Sequence, residues 1–283
     1  MTQPPLSMAI AQLEQELGSR LFNRNSRGVT LTVSGHYLAA EAEQILNTLE
    51  DVALRVRALE QGREGSLTVG VVPAAAWYLV PEVLRKFADR VPGVDVKLRE
   101  RAPSEVVDAT ISGAFDVGFV VTSSAERLQL LHEGQLHVEQ VTSLAIIVAL
   151  GPQFAEFSDP IELSRLSEIP FAVPVRSLRV RGLQESLSES FESAGLPLPR
   201  IIDTFTLQEA LPLVFAGLAA AAIPESIRYL VREESLVLRN LKDGPDPFHV
   251  ALLYRDERSL SPAARKFVEV VREWGIANTG QSS

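Results

Sequence analysis

Residues 32–62, TVSGHYLAAEAEQILNTLEDVALRVRALEQG, decide how the rest of the chain is organised. Apolar side chains recur there at alternating intervals of four and three residues, at Leu38, Ala42, Ile45, Leu49, Val52, Val56 and Leu59. This spacing, about 3.5 residues on average, is typical of a helix that pairs with a second helix along a narrow seam. Thr32 is a good N-cap and Gly62 a good stop, so we predict one dimerising helix about 45 Å long. A core helix of a single globule is the alternative, but such a helix usually has a broader apolar face.

The composition restricts the classes of protein to consider. The chain has 283 residues, of which 46% are apolar and 22% charged, an ordinary globular composition for two or three packed units. It contains no cysteine, which excludes disulfides, thiolate catalysis and cysteine-based zinc sites. The sequence has no signal-peptide pattern and no apolar run near the about 18 residues of a membrane span. We therefore expect a cytoplasmic protein with no membrane partner.

The net charge of −9 argues against nucleic acid as a partner when it is taken for the whole chain. The first 32 residues differ, because they carry three cations and two anions: Arg20, Arg24, Arg27, Glu14 and Glu16. This N-terminal segment, which we call the head (residues 1–32), is almost neutral, whereas the rest of the chain is acidic. The head can bind DNA if its arginines cluster, and a dimer contains each such cluster twice. The charge therefore leaves DNA binding open.

Residues 1–32 have the order of a helix followed by a hairpin. Thr2 can cap a helix with prolines in its first turn, Gly18 can end it, and its apolar stripe is Leu6, Ile10, Leu13 and Leu17. Two short apolar runs, 21–24 and 29–31, then flank a turn that contains Arg27 and Gly28, which predicts a hairpin with a basic tip. Helix and hairpin in this order are typical of a winged helix-turn-helix.

Residues 2–35, TQPPLSMAIAQLEQELGSRLFNRNSRGVTLTVSG, resemble the DNA-binding region of LysR-type transcriptional regulators, and a looser resemblance covers the remaining chain. The resemblance implies that TQPPLS opens the recognition helix and that the following residues contact DNA: Thr2, Gln3, Pro4, Ser7, Arg24, Arg27 and Gly28. Glutamine can read adenine, and serine can bind bases or phosphate. Met8 and Ala9 replace the basic or polar pair of many members, so direct readout at those positions is apolar. The alternative is that Gln3 and Ser7 are solvated residues at a helix start.

The resemblance also implies partners and a longer head. The expected partners are double-stranded promoter DNA, a small-molecule effector and a second copy of the chain, with homotetramers common in the family and RNA polymerase a further candidate. Members of the family carry two helices before this point, and these pack on the recognition helix. We therefore expect that Met1 is an internal methionine of a longer reading frame, or that the chain is a shortened regulator without autonomous DNA binding.

After residue 62 the pattern becomes an alternation of strands and helices, which predicts an α/β fold with parallel sheets. Strands are predicted near 67–72, 94–98, 116–121, 144–150, 171–173, 201–205, 218–223 and 249–254, and helices near 77–89, from 104, 183–194, 207–216 and 261–274. The predicted domains are a partial winged helix-turn-helix (1–32), a coiled-coil linker helix (33–62) and an effector-binding domain (63–283). Lobe I spans about 66–140 and 249–275 and lobe II about 141–248, with hinges near 140–144 and 242–248. This architecture resembles the family's effector domain, which has the shape of periplasmic binding proteins.

A cleft between the lobes is the predicted ligand site, because ligands in open α/β sheets bind beyond the carboxyl ends of the strands. We predict that residues 74–77, 103–104 and 121–123 line one side of it and residues 175–178 and 204–207 the other. The candidate contacts are Ala74, Ala75, Pro103, Ser104, Thr122, Arg176, Thr204 and Thr206. Carboxylate-binding members of the family often have hydroxyl groups where this chain has Ala74, Ala75 and Pro103. Arg176 is the best candidate for an anion, and a surface arginine at a helix start is the equal alternative.

Enzymatic readings are weaker than the regulator reading. The sequence has no GxxxxGK phosphate loop, no GxSxG elbow and no GxGxxG after a strand. His132, Glu133, His137 and Glu139 have no recognised metal-ligand spacing, and we predict an exposed polar loop there. We therefore predict no enzyme, no cofactor and no metal site. The alternative from another class is a two-lobed solute-binding receptor for transport. Such a receptor would need an export signal, and a dimerising helix would have no role in it.

Overall fold

The computed structural model describes residues 3–25, 28–177, 180–230 and 236–278, which divide between two units, Met1–Ala58 and Leu59–Ser283. The first unit contains α1 (Gln3–Leu17), β1 (Phe22–Asn25), β2 (Gly28–Leu31) and most of α2 (Val33–Glu60). The second contains β3 (Glu64–Val71), α3 (Pro73–Tyr78), α4 (Val80–Arg90), β4 (Gly93–Glu100), α5 (Pro103–Ser112), β5 (Val117–Thr122), α6 (Ala125–Leu131), β6 (His137–Leu144), β7 (Ile146–Leu150), β8 (Ile161–Glu162), β9 (Phe171–Pro174), α7 (Leu183–Ser193), β10 (Ile201–Thr204), α8 (Leu207–Phe215), β11 (Ala221–Pro224), β12 (Val237–Lys242), β13 (Phe248–Tyr254) and α9 (Pro262–Asn278). Short 3-10 helices cover Pro152–Phe154, Leu163–Leu166, Glu225–Leu230 and Glu257–Ser259. Within the described ranges, no helix has the length and apolar character needed to cross a bilayer.

The first unit has the predicted helix and hairpin. Helix α1 stops at Gly18, whose φ of +61° lies in the left-handed region that favours glycine. Strands β1 and β2 pair antiparallel, with Phe22 opposite Leu31. The Glu14 carboxylate accepts hydrogen bonds from the backbone N–H groups of Leu21 (2.7 Å) and Phe22 (3.1 Å), which lower its pKa. One side chain of α1 thus fixes where the hairpin begins.

Helix α2 has the two ends that the sequence predicts. The Thr32 hydroxyl accepts a hydrogen bond from the Gly35 N–H at 2.9 Å, which is the N-cap contact. At the other end Gly62 has φ +61°, and its N–H donates to the Leu59 carbonyl at 3.0 Å. A Cβ on Gly35 would lie 2.1 Å from the Leu21 carbonyl oxygen, so a glycine is needed where α2 passes the hairpin. The helix has 28 residues and is therefore about 42 Å long, at about 1.5 Å per residue.

The five-stranded sheet of lobe I has the order β4-β3-β5-β13-β6 and buries the main core of the second unit. Strands β4, β3 and β5 are parallel, as predicted, but β13 runs antiparallel to both β5 and β6. The expectation of purely parallel sheets is therefore wrong. The chain leaves this sheet at the carboxyl end of β6 and returns to that same end, so the returning strand must run in the opposite direction.

The second lobe is also mixed. One sheet has the order β11-β7-β12-β8, in which β7 is antiparallel to its two neighbours, and β9 pairs with β10 in parallel. A bridge between Phe171 and Ala220 joins β9 to the segment before β11. The crossings between the lobes occur at Ala145 and at residues 243–247, so the first predicted hinge, 140–144, lies inside β6. The predicted domain boundaries stay predictions, because the division at residue 58 falls inside α2.

Several elements differ from the sequence prediction. The predicted helix 77–89 is two helices, α3 and α4, because Pro81 has no N–H with which to continue the backbone ladder. Helix α6 and strands β6, β8 and β12 were not predicted. The expected exposed loop at 132–139 is wrong, since His132 is buried and β6 begins at His137.

A hydrogen-bonded ion network joins α9 to strands β6 and β13 of lobe I. The Arg272 guanidinium donates to both carboxylate oxygens of Glu139, at 2.9 and 2.6 Å, and to Glu257 at 3.0 Å. The Tyr254 hydroxyl donates to the same Glu139 carboxylate, and the His137 ring stacks on the Tyr254 ring. Arg272 lowers the pKa of Glu139, whereas burial and the Glu139 carboxylate raise the pKa of Tyr254. The carboxylate is therefore held in its ionised form.

Candidate effector cavity, DNA-contact residues and helix seam

A cavity of about 440 Å³ lies where the chain crosses between the two lobes. Its wall includes the starts of three helices, α5, α7 and α8, together with the ends of strands β5 and β9. A cavity of this volume falls within the range of about 300–1,000 Å³ that is usual for small-molecule sites. It occupies the place that the rule for open α/β sheets predicts.

Five of the eight predicted effector residues line this cavity. They are Ala74, Pro103, Ser104, Arg176 and Thr206. The other three, Ala75, Thr122 and Thr204, are buried behind its wall. The Thr122 hydroxyl is engaged with the backbone of Ser124, while the buried Thr204 hydroxyl has no hydrogen-bond partner among the described residues. The assignment of the eight residues to effector binding stays a prediction.

Most of the cavity wall is apolar. Its apolar residues come from strand ends and helix starts on both lobes, and include Val72, Val121, Ile146, Leu183, Phe205 and Phe248. Of these six, only Val121 and Phe205 lie within the segments predicted to form the cleft. Each of the six belongs to a run that is typical of core packing, so nothing local distinguishes it from a core residue. Phe205 has the clearest signal, because it is a large apolar residue directly before the N-cap of α8 and is 75% exposed.

The three helix starts at the cavity share one local arrangement. In each, a glutamate in the first turn accepts a hydrogen bond from a backbone N–H at the helix start. Ala102 donates to Glu105 at 3.1 Å, and Gly182 donates to Glu185 at 3.2 Å. At α8 Phe205 donates to Glu209 at 2.7 Å, and the Thr206 hydroxyl accepts from the Glu209 N–H at 3.3 Å. Carboxylates are favoured there, since the helix dipole places partial positive charge at the N-terminus.

The charged groups on the wall do not sum to a cationic site. Three carboxylates and two guanidinium groups line it: Glu100, Glu105, Glu185, Arg101 and Arg176. Arg101 donates to the backbone carbonyl of Glu100 at 2.7 Å, and Arg176 is exposed. The formal charge of the wall is therefore 2 − 3 = −1.

The predicted DNA-contact residues are spread over the head. Thr2 and Arg27 lie outside the described residues, and Gln3 and Pro4 begin helix α1. The Ser7 side chain on α1 and the Arg24 side chain on β1 are exposed. Gly28 starts β2 with φ +133°, a conformation that favours glycine. The pKa of Glu14 is lowered chiefly by its two backbone hydrogen bonds, and Arg24 and Arg20 lower it further.

The predicted seam of α2 is exposed along most of its length. Exposure of its large side chains ranges from 48% at Leu59 to 67% at Ile45, whereas Leu38 and Ala42 are half-buried. Two further leucines of α2, Leu46 and Leu54, are also exposed but lie off the seam. The five exposed side chains form a row of apolar surface on one helix, and a row of this kind is typical of an interaction surface. The dimer that would cover it stays a prediction.

No group of three or more histidine, aspartate or glutamate side chains suited to hold a metal ion occurs in the part of the chain that the structure describes. The histidine pair considered in the sequence is divided between a buried position, His132, and the first residue of β6, His137.

Comparison with known proteins assigns both units. Residues 60–275 match the family described as LysR substrate binding domain, and residues 1–36 match the bacterial regulatory helix-turn-helix proteins of the lysR family. The HTH-type transcriptional regulator IlvR of Caulobacter vibrioides is 27% identical over 277 residues, which cover 98% of this chain and 90% of IlvR.

Solved structures agree with this match. The crystal structure of CbnR, a LysR family transcriptional regulator, has a TM-score of 0.80 and 25% identity, and the alignment covers 96% of this chain and 91% of CbnR. Full-length CbnR complexed with its target DNA also has a TM-score of 0.80, with 24% identity and 97% and 91% coverage. The α/β fold class and the prediction of a non-enzymatic regulator are confirmed. This chain belongs to the LysR family of transcriptional regulators, with a helix-turn-helix region and an effector-binding domain.

Proposed function

We propose that this regulator binds promoter DNA as a homodimer and that a small molecule in the inter-lobe cavity changes its affinity for that DNA. The cavity of about 440 Å³ carries the proposal, because it lies between two lobes that the chain crosses twice. A ligand that contacts both lobes stabilises one arrangement of them over another. By linkage, the factor by which the ligand changes the affinity for DNA equals the factor by which DNA changes the affinity for the ligand.

The head supplies the proposed DNA contacts. The exposed side chains of Ser7 and Arg24 support it. In this proposal Thr2, Gln3, Pro4 and Ser7 contact the major groove, and Arg24, Arg27 and the backbone of Gly28 bind phosphates. CbnR offers a precedent, since its structure is known in complex with its target DNA.

The seam of α2 supplies the proposed dimer contact. Burying each of its large side chains is favourable by about 1.5–3 kcal/mol relative to leaving it exposed. The seam residues are Leu38, Ala42, Ile45, Leu49, Val52, Val56 and Leu59, and pairing them brings two heads together. Tetramers, contact with RNA polymerase and a cytoplasmic location follow from the family and belong to the same proposal.

The helix-turn-helix match over residues 1–36 favours a regulator over the alternative of a solute-binding receptor. A transport receptor has no role for a DNA-binding head or for an exposed helix seam.

Selection of genomic DNA fragments by the purified protein tests the proposal. We expect a small set of fragments with inverted repeats to be enriched. Arg24→Glu should abolish the enrichment, because it places an anion against phosphate. The matched control is Arg85→Glu, an exposed arginine of α4 that should leave the enrichment unchanged.

The effector half of the proposal is tested on the enriched DNA by titration with fractionated metabolites. At least one fraction should change the apparent Kd for DNA, and the change should disappear in Val121→Trp, which fills the cavity. Enrichment that persists in Arg24→Glu would contradict the assignment of the head. An effect that persists in Val121→Trp would contradict the assignment of the cavity.

A further inference from the structure

We infer that the cavity selects an uncharged, mainly apolar ligand over an anion of the same shape. This inference rests on the proposed function and specifies the chemical class of the effector. It departs from the sequence analysis, in which Arg176 is the best candidate for an anion.

The first observation is the chemistry of the wall. Its apolar side chains come from both lobes, with Val121 and Phe248 from lobe I and Ile146, Leu183 and Phe205 from lobe II. Apolar walls of this kind favour a ligand that gives up little hydration when it enters.

The second observation concerns the helix starts. The N-terminus of a helix usually attracts an anion, because backbone N–H groups and the helix dipole face it. Here Glu105 and Glu185 line the cavity and already accept hydrogen bonds from the backbone at the starts of α5 and α7. The start of α8 is engaged in the same way by Glu209. An anionic ligand would therefore approach carboxylates, and the helix starts are already neutralised.

The third observation is the balance of charge. The wall has one more carboxylate than guanidinium, and both arginines are exposed, as are Glu100 and Glu105, so that water screens these four charges. Glu185 is the least exposed of the charged residues on the wall. The lining residues with a hydroxyl are Ser104, Ser177 and Thr206, and a hydroxyl can form a hydrogen bond with a carbonyl or hydroxyl group of a neutral ligand.

Three ring compounds of matched shape test the inference on the intact protein: benzamide, benzoate and benzylammonium. We expect benzamide to bind at least about tenfold more tightly than benzoate or benzylammonium in calorimetric titrations at pH 7. Intermolecular NOEs from benzamide to the methyl groups of Val121 and Leu183 should place it in the cavity, with no substitution required.

A charge variant separates electrostatics from shape. Glu105→Gln combined with Glu185→Gln keeps a hydrogen-bond acceptor at both helix starts and removes two negative charges. Benzoate affinity should rise about tenfold in this variant, whereas benzamide affinity should change by less than about twofold. Glu126→Gln is the matched control, because Glu126 is exposed on α6 and does not line the cavity.

The outcomes distinguish the two proposals. If benzoate or benzylammonium binds the cavity as tightly as benzamide, the inferred ligand class is wrong and the effector cavity stands. If benzoate affinity does not rise in the double variant, the role assigned to the two glutamates is wrong, and the inference falls with it. If none of the three compounds binds at about 10 mM, or if benzamide gives NOEs only elsewhere, both the inference and the effector cavity are contradicted.

Discussion

The helix seam and the effector cavity differ in how the sequence encodes them. The seam comes from one uninterrupted stretch, Leu38 to Leu59, so its period can be counted in the sequence. The cavity is assembled from segments between Val72 and Phe248, which meet only after two sheets have formed. A local pattern predicts a surface whose residues are neighbours on one element. It does not predict a surface that depends on strand order and on the packing of distant segments.

The largest effect that we expect comes from placing a charge on the seam. Leu49→Asp should raise the dimer Kd at least about 100-fold, or about 2.7 kcal/mol, because the aspartate would be buried against its own copy. Leu54→Asp is the matched control. The two leucines are equally exposed in the single chain, 62% at Leu49 and 61% at Leu54, but only Leu49 belongs to the seam. Sedimentation equilibrium measures both constants.

This pair of variants tests whether the seam is the dimer interface. If Leu49→Asp and Leu54→Asp weaken the dimer equally, the 3.5-residue period does not define the interface. If neither variant changes the molecular mass, the helix does not pair through this seam.

The same distinction explains which parts of the fold the sequence predicts. The ends of the first two helices depend on single residues with a strong local effect, Gly18, Thr32 and Gly62, and all three have the predicted role. The direction of β13 depends instead on where the chain re-enters a sheet, and no residue of the strand encodes it. Strand β12 was missed because its six residues, VLRNLK, alternate too weakly to stand out from a loop.

The candidate site follows the same rule. Residues placed by a helix start, such as Pro103, Ser104 and Thr206, reach the cavity as predicted, because the end of a helix fixes their position. Ala75 and Thr204 do not reach it, since one step along an element turns a side chain toward the core.

Removing a contact between residues far apart in the sequence should have a smaller effect than placing a charge on the seam. No local pattern in the sequence predicts such a contact. Glu139→Gln removes the charge that Arg272 binds from a position 133 residues away. Both side chains are about one-third exposed, so we expect a loss of about 1–2 kcal/mol in the free energy of unfolding at pH 7. Urea unfolding measures it, and Glu162→Gln, in the more exposed pair with Lys242, should cost less than about 0.5 kcal/mol.

The stability difference between wild type and Glu139→Gln should depend on pH in a defined direction. Arg272 lowers the pKa of Glu139 in the folded protein, so the pair contributes its full stability above the ordinary glutamate pKa of about 4.3. That contribution is lost as the pH falls through the lowered pKa. The difference between wild type and Glu139→Gln should therefore be constant above about pH 5 and shrink at lower pH. A difference that grows on acidification would contradict the assignment of the charge to Glu139.

The smallest effect that we expect is a difference in stability between valine variants of Thr122 and Thr204. The sequence analysis assigns both threonines to the same ligand site. Thr122 and Thr204 both end a strand near the cavity, and both are buried. The Thr122 hydroxyl exchanges hydrogen bonds with the Ser124 backbone at 3.3 Å, whereas the Thr204 hydroxyl has none with any residue that the structure describes. Thr122→Val should therefore destabilise the protein by about 1 kcal/mol, and Thr204→Val should stabilise it by up to about 1 kcal/mol.

Urea unfolding of the two valine variants measures this difference, and benzamide titration of each serves as the second readout. Thr204→Val should leave the benzamide Kd within about twofold, since the hydroxyl lies behind the wall and not on it. A stability loss equal to that of Thr122→Val would mean that the Thr204 hydroxyl has a partner in solution. A weaker benzamide affinity together with that loss would mean that Thr204 contacts the ligand, as the sequence predicts. Six of the eight predicted residues would then belong to the cavity wall, one more than the structure places there.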